Sequence, residues 1–323
     1  MVDRSVLIRV PATVGNFGGA VDCAALALDA SLNVRARARR GGGVSIRYFG
    51  ENGERVPRDA SNLVVRAMKV ALEFRGLPFG GVDFEMYGTA PVGVGLGSST
   101  AAVWAGLLVA DRLYRLGLGE KTLFDLAGTL EPRNDNLRAA WSGGFVSRFE
   151  ESALPVYRST VVPDNLSLHV VIPEMTAVRH HEPSSAHPSG GERSGFLNRA
   201  QTLRSFLAQP RDSETAGLET VPEGVAERTV PGLDEALSMR APGLQAAFVC
   251  GSGPSVGILA KNEDAEAVTT AVIGCLARHG VSSRSATFRA TNSGACDWNA
   301  RGTELRLAPQ VGLDMPNDRT LPA

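Results

Sequence analysis

Lysine is scarce in this chain, arginine greatly outnumbers it, and no Gly-Lys-Ser/Thr triplet occurs anywhere. That absence excludes the nucleotide loop in which a lysine reaches the phosphates. No run of Lys/Arg is present, aromatics make up 6% of the 323 residues, and the formal net charge is −1. Nothing therefore points to nucleic acid as a partner. No uninterrupted apolar stretch approaches membrane length. The first residues, MVDRSVLIRVPATVG, lack the apolar core and small-residue cleavage site of a secretory signal. Cys23, Cys250, Cys275 and Cys296 are scattered without metal-like pairs; they read as reduced thiols, and the expected location is the cytoplasm. His180, His181 and His187 have no Cys or carboxylate at ligand spacing and read as solvated loop residues. With 43% hydrophobic and 21% charged residues, the chain has the balance of a globular protein of one large or two ordinary domains.

What is present is glycine in a telling place. Residues 91–102, PVGVGLGSSTAA, precede an apolar, helix-like run, VWAGLLVADRLY. Gly93, Gly95 and Gly97 permit a tight turn close to a ligand, and Ser98, Ser99 and Thr100 fall where a helix begins. A glycine loop feeding the unpaired N–H groups of a first helical turn suits an anion, most often phosphate. The alternative for the stretch taken alone is an ordinary turn whose serines cap the helix.

Taken in order, 6–10 reads as a strand running into PATVGNFGGAVDCAALALD (11–29), a glycine-rich loop before an apolar segment of helical character. Asn16 and Asp22 are its polar groups. Alternation at 32–38 and 44–48, with glycines 41–43 as hinge, predicts a hairpin. A helix is expected over 59–74, a strand over 82–87, and helices over about 98–116 and 120–130. The second ends in LEPRNDNLRAAWSGGFV (130–146), where Glu131, Asp135 and Asn136 lie close together before a new strand. A carboxylate near a phosphate loop is a natural Mg²⁺ ligand, although a lone Glu is more often part of a solvated acidic turn. Residues 166–172 read as a strand, 184–195 as a polar loop or lid, 196–208 as a helix and 210–222 as polar again. Apolar runs at 246–250 and 256–260 flank GSGPS, then a helix (264–279) and a strand (283–290) suggest an antiparallel α+β second half. Residues 307–323 look like a tail.

PATVGNFGGAVDCAALALD, PVGVGLGSSTAA and FVCGSGPSVGILA resemble, in order and spacing, the three motifs of the GHMP kinase superfamily, with the greatest likeness to the homoserine kinases. SNLVVRA (61–67), EPRNDNLRAAWSGGF (131–145) and SGACDW (293–298) add to a resemblance that covers roughly residues 5–300. It implies an α+β, two-domain fold: a ribosomal protein S5 domain 2-like ATP-binding domain over 1–160 and a ferredoxin-like domain over 161–306, before the 307–323 tail.

The resemblance also implies ATP and Mg²⁺ as cofactors and transfer of the γ-phosphoryl group to the hydroxyl of homoserine or a related hydroxy amino acid. The loop from Pro91 to Thr100, with Gly93, Gly95, Leu96, Gly97, Ser98 and Ser99, would wrap the phosphates. Gly251 and Gly253 would close over them, Asn62 would lie near adenine, and Ser99 and Glu131 would hold the metal. Asn16, Asp22 and Asn136 would contact the amino acid, and Arg179 would pair with its carboxylate. No general base is apparent, which fits phosphoryl transfer driven by positioning and charge stabilisation. The family is often dimeric, so a homodimer is a further expectation.

Departures lie at the acceptor end. Met175 stands where a threonine is usual, and the second carboxylate arginine falls on Ala226, with Arg228 two residues away as its replacement. Losing that arginine would remove a contact worth about 1.5–3 kcal/mol. The family's Glu-Gly-His-Pro is here Glu131-Pro132-Arg133-Asn134, and Val94 replaces a residue that is often polar. Threonine or another amino alcohol is thus a second acceptor class. A silent nucleotide-binding regulator and an ATP-using decarboxylase are weaker alternatives, because the metal pair is kept and the amino-acid-facing residues would have no role in the decarboxylase.

Overall fold

The computed structural model describes residues 5–39, 41–151, 154–163, 166–174, 190–208 and 230–295. Its longest strand, β2 (Ala24–Arg39), runs antiparallel to β1 (Ser5–Gly15), with one register shift between Pro11 and Thr13. The far half of β2 pairs with β4 (Gly81–Gly88), and its near end pairs with β5 (Phe145–Glu151), which forms a hairpin with β6 (Leu154–Thr160). β3 (Val44–Phe49) pairs with β4 in parallel.

Two expectations fail here for physical reasons. Residues 24–29 are strand rather than helix. Ala24, Leu26 and Leu28 pack toward the second sheet, whereas Ala25 packs on Ala139 and Val146. A strand buried on both faces loses the alternation that would have revealed it. The hairpin between 32–38 and 44–48 does not form, because β4 lies between the two strands. A parallel β3–β4 pair needs a crossover, and α1 (Leu63–Phe74) supplies it.

Helix α1 begins where the Asn62 side chain accepts from the Val64 amide at 2.9 Å. The earlier Asp59 signal instead holds Ser61, its carboxylate accepting from the Ser61 amide at 2.8 Å. α2 (Ser98–Tyr114) lies beside α1, and together Met68, Leu72, Trp104 and Leu107 pack on Val34, Phe84 and Met86 of the sheet. Each fully buried large apolar side chain contributes about 1.5–3 kcal/mol. α3 (Glu120–Gly128) follows, then α4 (Asn134–Ser142), a helix not anticipated from the sequence.

The second sheet is antiparallel and built from β7 (Ser167–Pro173), β8 (Leu244–Val249), β9 (Val256–Ala260) and β10 (Ser283–Arg289), in the order β10-β7-β9-β8. α5 (Gly190–Ala208) lies between β7 and β8, together with the short α6 (Leu233–Ser238), and α7 (Ala265–Arg278) joins β9 to β10. This βαββαβ order is the ferredoxin-like arrangement. The expected polar stretch 184–195 is partly helical, since α5 opens at Gly190; its first residues, the 210–222 segment and the tail lie outside the described residues. After β10 the chain returns to the first sheet, where Thr291 donates to Ala27 O at 3.0 Å and Ala295 to Ala140 O at 2.8 Å. Between the sheets, fully buried Phe17 meets Phe145 and Phe248 edge-on, with centroids 5.7 and 5.3 Å away.

Candidate active site

The loop before α2 alternates two kinds of residue. Val94 and Leu96 are buried in the inter-sheet core, while Gly93, Gly95 and Gly97 take φ of +76°, +90° and +68°. A methyl group on Gly95 would overlap the carbonyl oxygen of Cys250, and one on Gly97 would overlap Thr13. Only glycine satisfies both the left-handed turn and these approaches. The burial of Val94 accounts for the apolar residue at that position. Gly97 is the N-cap of α2 and no side chain caps the helix. The capping alternative is therefore not what is found, and the first-turn amides remain for a ligand.

Ser99 Oγ, on that first turn, donates to Glu131 Oε2 at 2.7 Å, and Thr100 Oγ1 to the same oxygen at 3.2 Å. Glu131 is buried, at 4% exposure, and its other oxygen accepts from the Arg133 amide at 3.3 Å. Among the described residues, no group of three or more His, Cys, Asp or Glu could hold a metal. A hydroxyl and one carboxylate are hard oxygen donors of the kind that suit Mg²⁺ when phosphate and water complete its shell.

The turn from Gly251 to Ser255, between β8 and β9, lies against this loop. Gly251 N donates to Gly15 O at 3.0 Å. Asn16 Nδ2 donates to Gly251 O at 2.8 Å, and Asn16 Oδ1 accepts from the Asp22 amide at 3.1 Å. Asn16 and Asp22 both have left-handed backbones, with φ of 57° and 51°. Asn136, buried on α4, packs its side chain against Gly15. Asn16, Asp22 and Asn136 are thus brought to one wall. Arg179 and Arg228, with Met175 and Ala226, lie outside the described residues.

A cavity of about 230 Å³ opens beside Gly93 and Ser98 and runs between Tyr48, Pro57 and Met86. Asn62 lines it, but its side chain is engaged locally: Nδ2 donates to Pro57 O at 2.8 Å while Oδ1 caps α1. It shapes the cavity wall through these bonds.

Four buried polar atoms around the site, Thr13 Oγ1, Asp135 Oδ2, Asn136 Oδ1 and Ser255 Oγ, have no hydrogen-bond partner among the described residues. Buried groups of this kind are completed by water or by a ligand. Sequence reasoning assigned no role to Asp135. Burial, then the nearby Asp22 charge, pushes its carboxyl up to about 7. Arg199 of α5 was also missed. Its Nη1 donates to Gly18 O at 3.5 Å and lies against Gly19, on the loop that carries Asn16 and Asp22. Asp135 sits in the 131–145 segment but its burial shows only in the tertiary arrangement, and Arg199 sits in no motif.

The two sheets, the uncapped α2 and the hydroxyl–carboxylate pair define a small-molecule kinase of the GHMP type. Residues 62–144 match the family model described as GHMP kinases N terminal domain. Homoserine kinase from Streptomyces coelicolor is 31% identical over 276 residues, spanning 82% of this chain and 87% of that protein. The chain belongs to the homoserine kinase family, whose members are phosphotransferases acting on a hydroxyl group. Among solved structures, homoserine kinase from Cytophaga hutchinsonii superposes with a TM-score of 0.68 at 22% identity, covering 91% of this chain and 97% of that one. Mevalonate kinase from Methanococcus jannaschii gives 0.61 at 14% identity, covering 90% and 99%. The fold is therefore shared by kinases with different acceptors. No helix among the described residues is long and apolar enough to cross a membrane.

Proposed function

We propose that this chain transfers the γ-phosphoryl group of ATP to the hydroxyl of homoserine, with Mg²⁺ held by Ser99 and Glu131. The observation that carries the reading is the adjacency of the α2 first turn, the Ser99–Glu131 pair and the Asn16–Asn136 wall, which sets a phosphate donor beside an amino-acid acceptor. Homoserine is preferred as acceptor because the 31% likeness extends over most of both chains.

In this reading the amides following Gly97 and the Gly251 turn bind the phosphates, and the apolar cavity beside Asn62 takes the base. Magnesium, when bound, neutralises phosphate charge. Asp22 faces the substrate ammonium, Arg199 faces its carboxylate, and Asn16 and Asn136 orient the chain between them. Asp135, with a carboxyl near 7 and an unpartnered Oδ2, accepts the proton of the hydroxyl.

The test is ADP release with ATP and Mg²⁺ across L-homoserine, L-threonine, L-serine, other amino alcohols and mevalonate, with phosphorylated product identified by mass. Preferred turnover of homoserine supports the reading. Preferred turnover of another alcohol overturns the acceptor, and binding of ATP without any phosphorylated product overturns the reaction.

A further inference from the structure

The cradle has no lysine, yet an arginine reaches it from α4. Arg133 is the N-cap residue of α4, two positions after Glu131 and three before Asn136. Its amide donates to Glu131 Oε1 at 3.3 Å. Its guanidinium Nη1 lies 3.6 Å from the point that a Cβ on Gly251 would occupy, where Gly251 in turn meets Gly95 of the first loop. The side chain is half-buried; its charge acts on the Asp135 carboxyl, and no hydrogen bond from the guanidinium to a described residue holds it there. A guanidinium carries five N–H donors suited to two oxygens at once. Leaving such donors half-buried without acceptors is costly unless a ligand supplies them.

The position selects the ligand atoms. Arg133 is linked through its amide to Glu131 of the Ser99–Glu131 pair, and its Nη1 approaches Gly251, which touches Gly95 and bonds to Gly15, the residue Asn136 packs against. A group held between donor and acceptor sites faces the phosphoryl in transit. We propose that Arg133 is a catalytic residue supplied in cis, its guanidinium binding the equatorial oxygens of the transferring γ-phosphoryl group. This rests on the phosphate-cradle reading above. As the bond between the acceptor oxygen and the γ-phosphorus forms, the bond from that phosphorus to the β,γ-bridging oxygen breaks, and its electron pair leaves with ADP. The hydroxyl proton passes to Asp135 and then to solvent. Arg133 gains and loses no atoms; its charge meets negative charge that spreads over those oxygens.

The experiment compares wild type with Arg133→Gln, Arg133→Lys and Arg133→Ala. Arg133→Gln should lower kcat about 10²–10³-fold with a much smaller change in the KM of the acceptor. Arg133→Lys should recover part of that loss, and guanidinium ion should partly restore Arg133→Ala. Independently of turnover, calorimetry should find ADP affinity nearly unchanged in Arg133→Gln, while affinity for ADP with aluminium fluoride drops at least about tenfold. Unaltered kcat in Arg133→Gln overturns the proposal. So does an equal loss of ADP and ADP–aluminium fluoride binding accompanied by a lower Tm, which would make Arg133 a structural residue. If the wild type does not phosphorylate homoserine, the acceptor reading fails, and the aluminium fluoride comparison still decides the role of Arg133.

Discussion

Asn16 holds two halves of the site together: its Nδ2 donates to the Gly251 carbonyl at 2.8 Å while its Oδ1 accepts from the Asp22 amide at 3.1 Å. One side chain therefore ties the Asn16–Asp22 loop, the proposed acceptor side, to the Gly251 turn, the proposed phosphate side. Asn16→Gly keeps the left-handed backbone at φ 57° open to the residue but removes both bonds. In the wild type each of ATP and homoserine should tighten the binding of the other, and in Asn16→Gly the two should bind independently. Calorimetric titration of each ligand in the presence and absence of the other measures this, and unchanged coupling in the variant would count against the tie.

Glu131 is buried and receives two hydroxyl donors and one amide. Glu131→Gln should keep the fold, because the amide oxygen can accept from the Arg133 amide while Nε2 donates to the Ser99 and Thr100 hydroxyls, yet lower kcat about 10²–10³-fold and shift the Mg²⁺ requirement upward. A magnesium titration of turnover, with circular dichroism as the folding control, reads both effects.

The Asp135 carboxyl is raised from 3.8 to about 7, so it is mainly protonated below pH 7 and ionised above it. If it accepts the substrate proton, kcat/KM should rise with pH up to about 7 and then level, and Asp135→Asn should abolish the rise. The stability sign runs the other way. A raised folded pKa means that the folded state binds the proton more tightly than the unfolded one, so stability declines as pH rises from about 4 to about 7. Asp135→Asn should therefore melt higher than wild type at pH 8, by roughly 1–3 kcal/mol, and the gain should vanish near pH 4. Thermal melts of the ligand-free protein across that range give the answer.

Gly95→Ala introduces a methyl group against the Cys250 carbonyl at a residue with φ +90°. Both loop and turn must shift, so ATP affinity should fall at least about tenfold and stability by roughly 1–3 kcal/mol. Fluorescent nucleotide binding and chemical denaturation would show whether the two losses occur together.

Arg199→Ala should raise the KM for homoserine about tenfold or more and leave that for ATP unchanged, since a charge-assisted contact to a carboxylate is lost. The decarboxylated analogue 3-amino-1-propanol should be used equally by variant and wild type. Equal losses on both acceptors would assign Arg199 to packing on Gly18 and Gly19 alone.

How much of this was legible beforehand follows the range of the interactions. The loop before α2 and the turn between β8 and β9 could be read from glycine spacing, because their geometry is set within a few residues. The strand at 24–28 could not, since its burial on both faces depends on α4 and on a sheet more than a hundred residues later. The pairing of β3 with β4 rather than β2 was hidden for the same reason, as a glycine hinge says nothing about which strand will intervene. Asp135 and Arg133 were visible as residues of one motif-like segment, but their environment arises only when α4 meets Gly15 and the Gly251 turn. Arg199 offered no local signal at all.

Within the loop from Gly93 to Gly97, Gly95 is held between the core residues Val94 and Leu96, so in the proposed site the groups turned toward phosphate belong to the main chain. Side chains there act as footings, and their chemistry can drift without changing what is bound. The proposed acceptor wall is made of side chains, Asn16, Asp22, Asn136 and Arg199, borne by three separate segments. On the proposed reading the molecule is inheritable in two parts: a donor end whose glycines are fixed but whose other side chains can change without changing its ligand, and an acceptor end where a few exchanges can redirect the enzyme to a new alcohol.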